Sequence, residues 1–274
     1  MTDHSFTETL NPSYTVDQAI TNIQQTEDTS ARYYAAWWLG RFRVTEPVAI
    51  QALVTALEDT SDRSPDGGYP LRRNAAKALG KLGDLSVVPA LLQALTCEDY
   101  YVREAVIYAL GELKATQAIE TLSNFLAGGI EAAQKVPDKP HLVQPYEAIL
   151  ETLGSLRAIQ TMDLIKPFLD HASAKVQYAA ARALYQLTQE PQYGDRLITA
   201  LQGKELQLRR SAMMDLGATG YLPGAGAIAT TFAENSLKLI ALKNLWENYR
   251  ANQQETDELS SASLEIMTLM DQLL

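Results

Sequence analysis

Cysteine is nearly absent: a single one, Cys97, occurs in 274 residues. That excludes an internal disulfide framework and any cysteine-rich metal centre. Long apolar runs are missing too. Nowhere do eighteen apolar residues follow one another, so no membrane-spanning helix is expected. The opening MTDHSFTETLNPSYT has no basic stretch leading into an apolar one, which predicts no secretory signal. Proline and glycine together make 26 residues, too few for a low-complexity chain. His4, His141 and His171 lie far apart in sequence and no two show metal-ligand spacing, so no metal site is expected. Bases number 23 against 33 acids, and the net charge of −10 disfavours general binding to nucleic acid or to an anionic membrane. No nucleophile elbow, phosphate loop or metalloprotease helix is present. GATGYLPGAG (217–226) is glycine-rich, but no strand precedes it and it reads as an inter-helix loop. The expectation is a soluble chain in a reducing cytoplasm, with no motif of a self-contained enzyme.

What is present is a repeat. ARYYAAWWLG (31–40) aligns with LRRNAAKALG (71–80) and VREAVIYALG (102–111). The frame continues as PYEAILETLG (145–154), VQYAAARALY (176–185), LRRSAMMDLG (208–217) and LKLIALKNLW (237–246). A shared leucine falls at 39, 79, 110, 153, 184, 216 and 245. Each copy is accompanied by a second amphipathic pattern, such as PVAIQALVTALED (47–59) or VVPALLQALTCED (87–99). Gly83–Asp84, Pro89 and Glu98–Asp99 supply stop and start signals between them. Two helices per repeat and no period-two strand pattern predict an all-α fold, an α-solenoid of about six to seven helical repeats. It is read as one solenoid over 1–274. An N-terminal extension covers 1–15, inter-helix insertions cover 60–70 (TSDRSPDGGYP) and 128–145, and a capping helix covers 257–274 with Leu264, Met267 and Leu274 as its apolar positions.

The frame also assigns faces. Val102, Ala105, Val106, Ala109 and Leu110 recur at i, i+3, i+4, i+7 and i+8 and are expected to point inward. In the first copy these positions are Ala31, Tyr34, Ala35, Trp38 and Leu39, so Tyr34 and Trp38 are predicted to be core. Arg32, Tyr33, Ala36, Trp37 and Arg41 are left for the other face. Aromatics beside arginines on a surface helix ask for a ligand or a partner. The same off-core stripe through later copies runs Arg73, Lys77, Glu104, Tyr108, Glu147, Glu151, Tyr178 and Arg182, and is expected to line the concave face. It starts basic and aromatic and turns acidic. Residues 30–85 carry a local charge of +2 inside the −10 chain. Cys97, ending an apolar helix, is expected to be a buried, inert thiol.

RYYAAWWLGRFR, DRSPDGGYPLRRNAAKALGKLGD and EDYYVREAVIYALGELK together resemble the E-type (alpha) subunit of the heterodimeric phycocyanobilin lyases, HEAT-repeat proteins of the E/F class. The resemblance runs from about residue 14 to 250. It implies an enzyme active with a homologous F-type subunit, which binds phycocyanobilin and attaches it by a thioether to a cysteine of the phycocyanin alpha subunit. It implies no metal or nucleotide cofactor, the bilin being substrate. Chromophore contacts are then expected at Tyr33, Trp37, Arg41, Arg72, Arg73, Lys77, Glu104 and Tyr108. Trp37 and Tyr33 would stack on the pigment, each pair worth about 0.5–1.5 kcal/mol beyond burial. Arg41, Arg72 and Arg73 would fork onto propionates, and Glu104 would accept from pyrrolic N–H groups. No catalytic residue is assigned. Two alternatives remain: a non-catalytic scaffold or chaperone for phycobiliprotein assembly, and a related lyase-isomerase or phycoerythrobilin lyase.

Overall fold

The structure, a computed structural model, describes residues 14–253 and 260–274. The predicted extension at 1–15 and the start of the predicted cap at 257–259 therefore fall almost wholly outside the described residues. The rest groups into two compact units, Met1–Leu113 and Lys114–Leu274. Unit 1 contains α1 (Val16–Gln24), α2 (Thr29–Arg41), α3 (Pro47–Ala56), α4 (Pro70–Leu82), α5 (Val88–Ala94) and α6 (Tyr100–Glu112). Unit 2 contains α7 (Ile119–Asn124), α8 (Gly129–Ala132), α9 (Tyr146–Ser155), α10 (Met162–Ile165), α11 (Ala174–Thr188), α12 (Pro191–Ala200), α13 (Leu206–Gly217), α14 (Gly224–Thr230), α15 (Asn235–Gln253) and α16 (Ser261–Asp271). The architecture is all-α, built from helix pairs as in an α-solenoid. Among the described residues the only extended pairing is an isolated bridge, Lys135 to Leu142, inside the second insertion.

The repeat frame is the core. All seven shared leucines are fully buried. Inner helices α2, α4 and α6 pack side by side in unit 1, with α3 and α5 behind them. Their spacing is set by a glycine near each C-terminal end. A Cβ on Gly40 would lie 2.7 Å from the Ala78 Cα, and one on Gly80 2.8 Å from the Ala109 Cα. Gly154 meets Ala183, and Gly217 meets Ala241, in the same way within unit 2. A side chain there would push the helices apart, so glycine facing alanine is the contact that stacks one repeat on the next.

Start signals behave as their chemistry dictates. The Asp28, Asp84 and Asp99 carboxylates each accept from a backbone N–H of the segment they open. Gly83 closes α4 at φ 79°. 3₁₀ turns at Leu85–Val87 and Thr116–Ala118 lead into α5 and α7, and one at Lys166–Asp170 follows α10. Within GATGYLPGAG only 218–223 is loop, since α13 ends at Gly217 and α14 begins at Gly224.

Two face assignments are corrected. Tyr34, predicted to be core, is 47% exposed, and Trp38 is half-buried. Their frame positions face the preceding inner helix; in α4 and α6 they hold the small Asn74, Ala78, Ala105 and Ala109. Among the described residues no inner helix precedes α2, so large rings fit. Tyr14 meets them edge-on, with centroids 5.3 Å from Tyr34 and 5.2 Å from Trp38. Arg32 and Ala36, assigned to the open face, are instead buried. Arg32 donates to the Ile23 carbonyl, to Ser61 Oγ and to Asp59 Oδ2, the last at 2.6 Å. Helix α16 packs against α14 and α15; it buries Ser263 and Ile266, while Leu264 and Leu274, expected as its apolar positions, are exposed. Cys97 is buried, as expected.

Candidate functional site

The predicted residues Tyr33, Trp37, Arg41, Arg73, Lys77, Glu104 and Tyr108 fall on the inner helices of unit 1, where Lys81 and Glu112 complete them into a three-by-three grid. Each helix contributes positions four apart, which a helix stacks on one face. From α2 come Tyr33, Trp37 and Arg41. From α4 come Arg73, Lys77 and Lys81, and from α6 come Glu104, Tyr108 and Glu112. Tyr33, Trp37 and Tyr108 are 45%, 43% and 39% exposed, large values for aromatic side chains on packed helices. Arg41, Lys77 and Lys81 are exposed, while Arg73 and Glu104 are half-buried. The α2 row is thus aromatic, the α4 row cationic, and the α6 row acidic with a phenol.

The grid is coupled. Partial burial and the neighbouring Arg73 and Lys81 lower the Lys77 ammonium pKa, with Glu104 opposing them. Arg73 lies over the Tyr101 ring at 5.3 Å. Asn74, buried between α2 and α4, donates to the Tyr33 carbonyl at 3.2 Å and holds that part of the face in register. Partial burial raises the Glu112 carboxyl pKa, against the pull of Lys81 and Arg43.

Arg72 is placed apart from this grid. Its guanidinium packs on the Tyr69 ring at 5.1 Å, with Arg63 at 4.5 Å from the same ring. Tyr69 in turn bonds Glu98 and Asp99, folding the 60–70 insertion against the start of α6. Arg72 shares its frame position with Arg32, Arg103 and Arg209. Arg103 donates to the Cys97 and Glu98 carbonyls, and Arg209 to those of Gly203, Lys204 and Phe232. The recurring arginine is therefore part of the scaffold, satisfying carbonyls between the paired helices. Its recurrence at the second letter of four aligned copies was the available signal.

Sequence reasoning missed three residues of this face: Arg43, Lys81 and Glu112. Lys81 and Glu112 extend the grid by one further step of four. Arg43 belongs to another recurrence, since Arg43, Gly83, Lys114, Arg157 and Gly220 all follow inner helices with positive φ. Arg43 Nη1 donates to the Lys81 carbonyl at 3.0 Å, and Arg157 makes the same bond to the Gln186 carbonyl. A basic residue after one inner helix thus caps the end of the next.

The stripe residues of unit 2 are arranged differently. Arg182 Nη1 donates to Glu151 Oε2 at 2.7 Å and to Asp215 Oδ1 at 3.4 Å. Burial, then the adjacent Glu151, hold the Asp215 carboxyl well above the usual carboxylate range against the pull of Arg182. Glu147 adds to the same negative field. Arg210, at the frame position of Tyr33, pairs with Glu234. Among the described residues no group of three or more His, Cys, Asp or Glu has the arrangement of a metal centre. The unit 1 face suits a planar, conjugated ligand carrying carboxylates and N–H donors, because it offers ring faces, cations and acids in adjacent rows.

Comparison with known proteins bears on the whole chain. A family model of HEAT repeats matches residues 63–129. A second, described as the PBS lyase HEAT-like repeat, matches 31–59 and 176–203. The chain is 67% identical to the phycocyanobilin lyase subunit alpha of Synechocystis sp. over 267 residues, 97% of this chain and 98% of that one. It is 57% identical to the protein of the same name from Picosynechococcus sp., across 96% of this chain and 97% of that one. Among solved structures it resembles a chain of the CpcE–CpcF complex of phycocyanin lyase from Nostoc sp. at a TM-score of 0.87 and 51% identity, with both chains fully covered.

Proposed function

The chain belongs to the family of phycocyanobilin lyase alpha subunits, and from that premise we propose that its unit 1 face holds phycocyanobilin for transfer to the phycocyanin alpha subunit. It is a bilin lyase subunit that works with a homologous F-type partner. The cysteine that becomes modified belongs to the acceptor protein, so this chain needs no nucleophile of its own. In the reaction the acceptor thiol adds across the exocyclic ethylidene of ring A. Sulfur bonds to the exocyclic carbon, the double-bond pair takes up a proton at the ring carbon, and a thioether results with no oxidant or leaving group.

The observation that carries this reading is the composition of the grid. Tyr33 and Trp37 offer exposed rings for the conjugated plane. Arg73 and Lys77 offer cations to propionates, and Glu104 offers an acceptor to pyrrolic N–H groups, which favours the protonated pigment. Holding both reactants in one orientation supplies much of such a barrier, since effective molarities reach about 10⁵ M. No metal or nucleotide is required by this chemistry. The cytoplasm is the compartment we assign. No described helix is long and apolar enough to cross a membrane, which is compatible with that assignment.

The test is a transfer assay. This chain, an F-type partner, phycocyanobilin and the apo-alpha subunit are mixed, then denatured. Colour that stays with the alpha subunit and requires this chain is the expected result. Binding to the apo-protein without covalent colour would replace the lyase reading with a scaffold or chaperone.

A further inference from the structure

At the C-terminal ends of α2 and α4 lies a cleft of about 440 Å³ lined by Gly40, Arg41, Arg43, Gly80, Lys81 and Glu112, with Gly83 at its edge. Three cations share it with one carboxylate. Among the described residues the ion pairs of unit 1 are Arg32–Asp59 and Arg63–Glu98, and the cleft cations take part in neither. The arginines that serve the scaffold can be recognised by their partners: Arg32, Arg72 and Arg103 are occupied by carboxylates, carbonyls or a ring face. Among the described residues Arg43 donates at one nitrogen, to the Lys81 carbonyl, and Glu112 is the carboxylate that feels its charge. That bond fixes its guanidinium at the cleft while leaving its other donors available.

The equivalent place in unit 2 is a control within the same chain. There Arg157 makes the same bond to the Gln186 carbonyl, but its second nitrogen is taken up by Asn252 Oδ1 at 2.5 Å. The surrounding residues, Ile159, Leu187, Gln189, Ala251 and Gln253, bring no second cation. The device is the same in both units, and only in unit 1 is it surrounded by further positive charge.

We infer that this cleft is a carboxylate subsite, with Arg41, Arg43 and Lys81 receiving one propionate of the tetrapyrrole whose plane lies on Tyr33 and Trp37. The inference rests on the bilin reading given above and adds a position for one end of the pigment. Trp37 precedes Arg41 by one helical turn, so a ring over Trp37 brings a flexible propionate arm within reach of the cleft. Guanidinium and ammonium together bind a carboxylate better than either alone, because the fork fixes direction and the point charge adds attraction. An acidic side chain of a protein partner has the same chemistry, so the test excludes the acceptor protein.

The complex of this chain with its F-type partner is titrated, by absorption, with phycocyanobilin and with its dimethyl ester. The unaltered complex should bind the free acid about 10- to 100-fold more tightly than the ester. In the double variant Arg41→Gln, Lys81→Gln that preference should fall about tenfold, the part that remains belonging to the second propionate. Lys81→Glu should weaken binding of the free acid while leaving that of the ester unchanged, an outcome that a loss of folding does not produce. A double variant with unchanged helical circular dichroism that keeps the full acid preference overturns the subsite and leaves bilin binding standing. An unaltered complex that binds neither pigment overturns the bilin reading, and the subsite with it.

Discussion

The two units use one helical frame to opposite ends. On α2, α4 and α6 the off-core positions carry exposed rings and cations that enter none of the described ion pairs, although Glu104 and Glu112 lie among them. On α9, α11 and α13 the same positions, with Asp215 beside them, close on themselves: Glu151 and Asp215 share Arg182, and Arg210 meets Glu234. Even the basic residue that follows an inner helix obeys the division, Arg43 being half-engaged and Arg157 fully so. A charged stripe in a solenoid is thus not in itself a binding face. What separates the two is whether the charges have already been matched by the protein that carries them.

The comparison can be broken most forcefully in unit 2. Arg182→Ala leaves Glu151 and Asp215 crowded without a counter-ion, and should cost about 3–5 kcal/mol in thermal or urea unfolding. The corresponding change in unit 1, Lys77→Ala, should stay within about 0.5 kcal/mol. Next in size is the packing common to both units. Gly40→Ala should cost about 1–3 kcal/mol by the same measurement, because its Cβ would sit 2.8 Å from the Ala78 Cβ. Smaller in energy, but specific to function, is Trp37→Ala: covalent transfer should fall about tenfold while helical circular dichroism is unchanged.

The smallest effect is one of pH. Asp215 has a raised pKa in the folded chain, so the folded state binds its proton more tightly than the unfolded chain does. Its contribution is complete below the unfolded carboxylate value near 3.8 and is lost as pH rises through the raised value. Asp59 has the opposite sign. Burial alone would raise its pKa, but hydrogen bonds from Arg32, the Asp62 backbone and Ser61 bring it below 3.8, and its contribution is lost as pH falls. Asp215→Asn should therefore gain in melting temperature relative to the unaltered chain as pH is raised from 4 to 7. An unchanged difference across that range would mean that Asp215 is ionised throughout.

Much of this was legible from spacing. The seven leucines, the glycine that follows most of them and the i, i+4 stripe all come from a periodicity that the chain cannot change without losing its core. Tyr33, Trp37, Lys77 and Tyr108 are exposed on their helices, because a helix fixes what lies four residues away. What escaped was whatever depends on a neighbour distant in sequence. Tyr34 and Trp38 read as core because frame position stands for burial, and a period does not show that no described inner helix precedes α2. Arg32 was given to solvent because its partner Asp59 lies 27 residues on. Arg72 was counted with Arg73 because they are adjacent, although a helix turns adjacent residues by about 100°.

The central claim is that the open face of unit 1, and not the closed face of unit 2, holds the pigment. One titration tests it most directly: phycocyanobilin absorption with the partnered chain, comparing the double variant Tyr33→Ala, Trp37→Ala with Tyr178→Ala, whose ring occupies the frame position of Tyr33 in α11. The expected result is loss of pigment binding in the double variant and unaltered binding in Tyr178→Ala. Retained binding in the double variant together with loss at Tyr178 would contradict the assignment and move the site to unit 2.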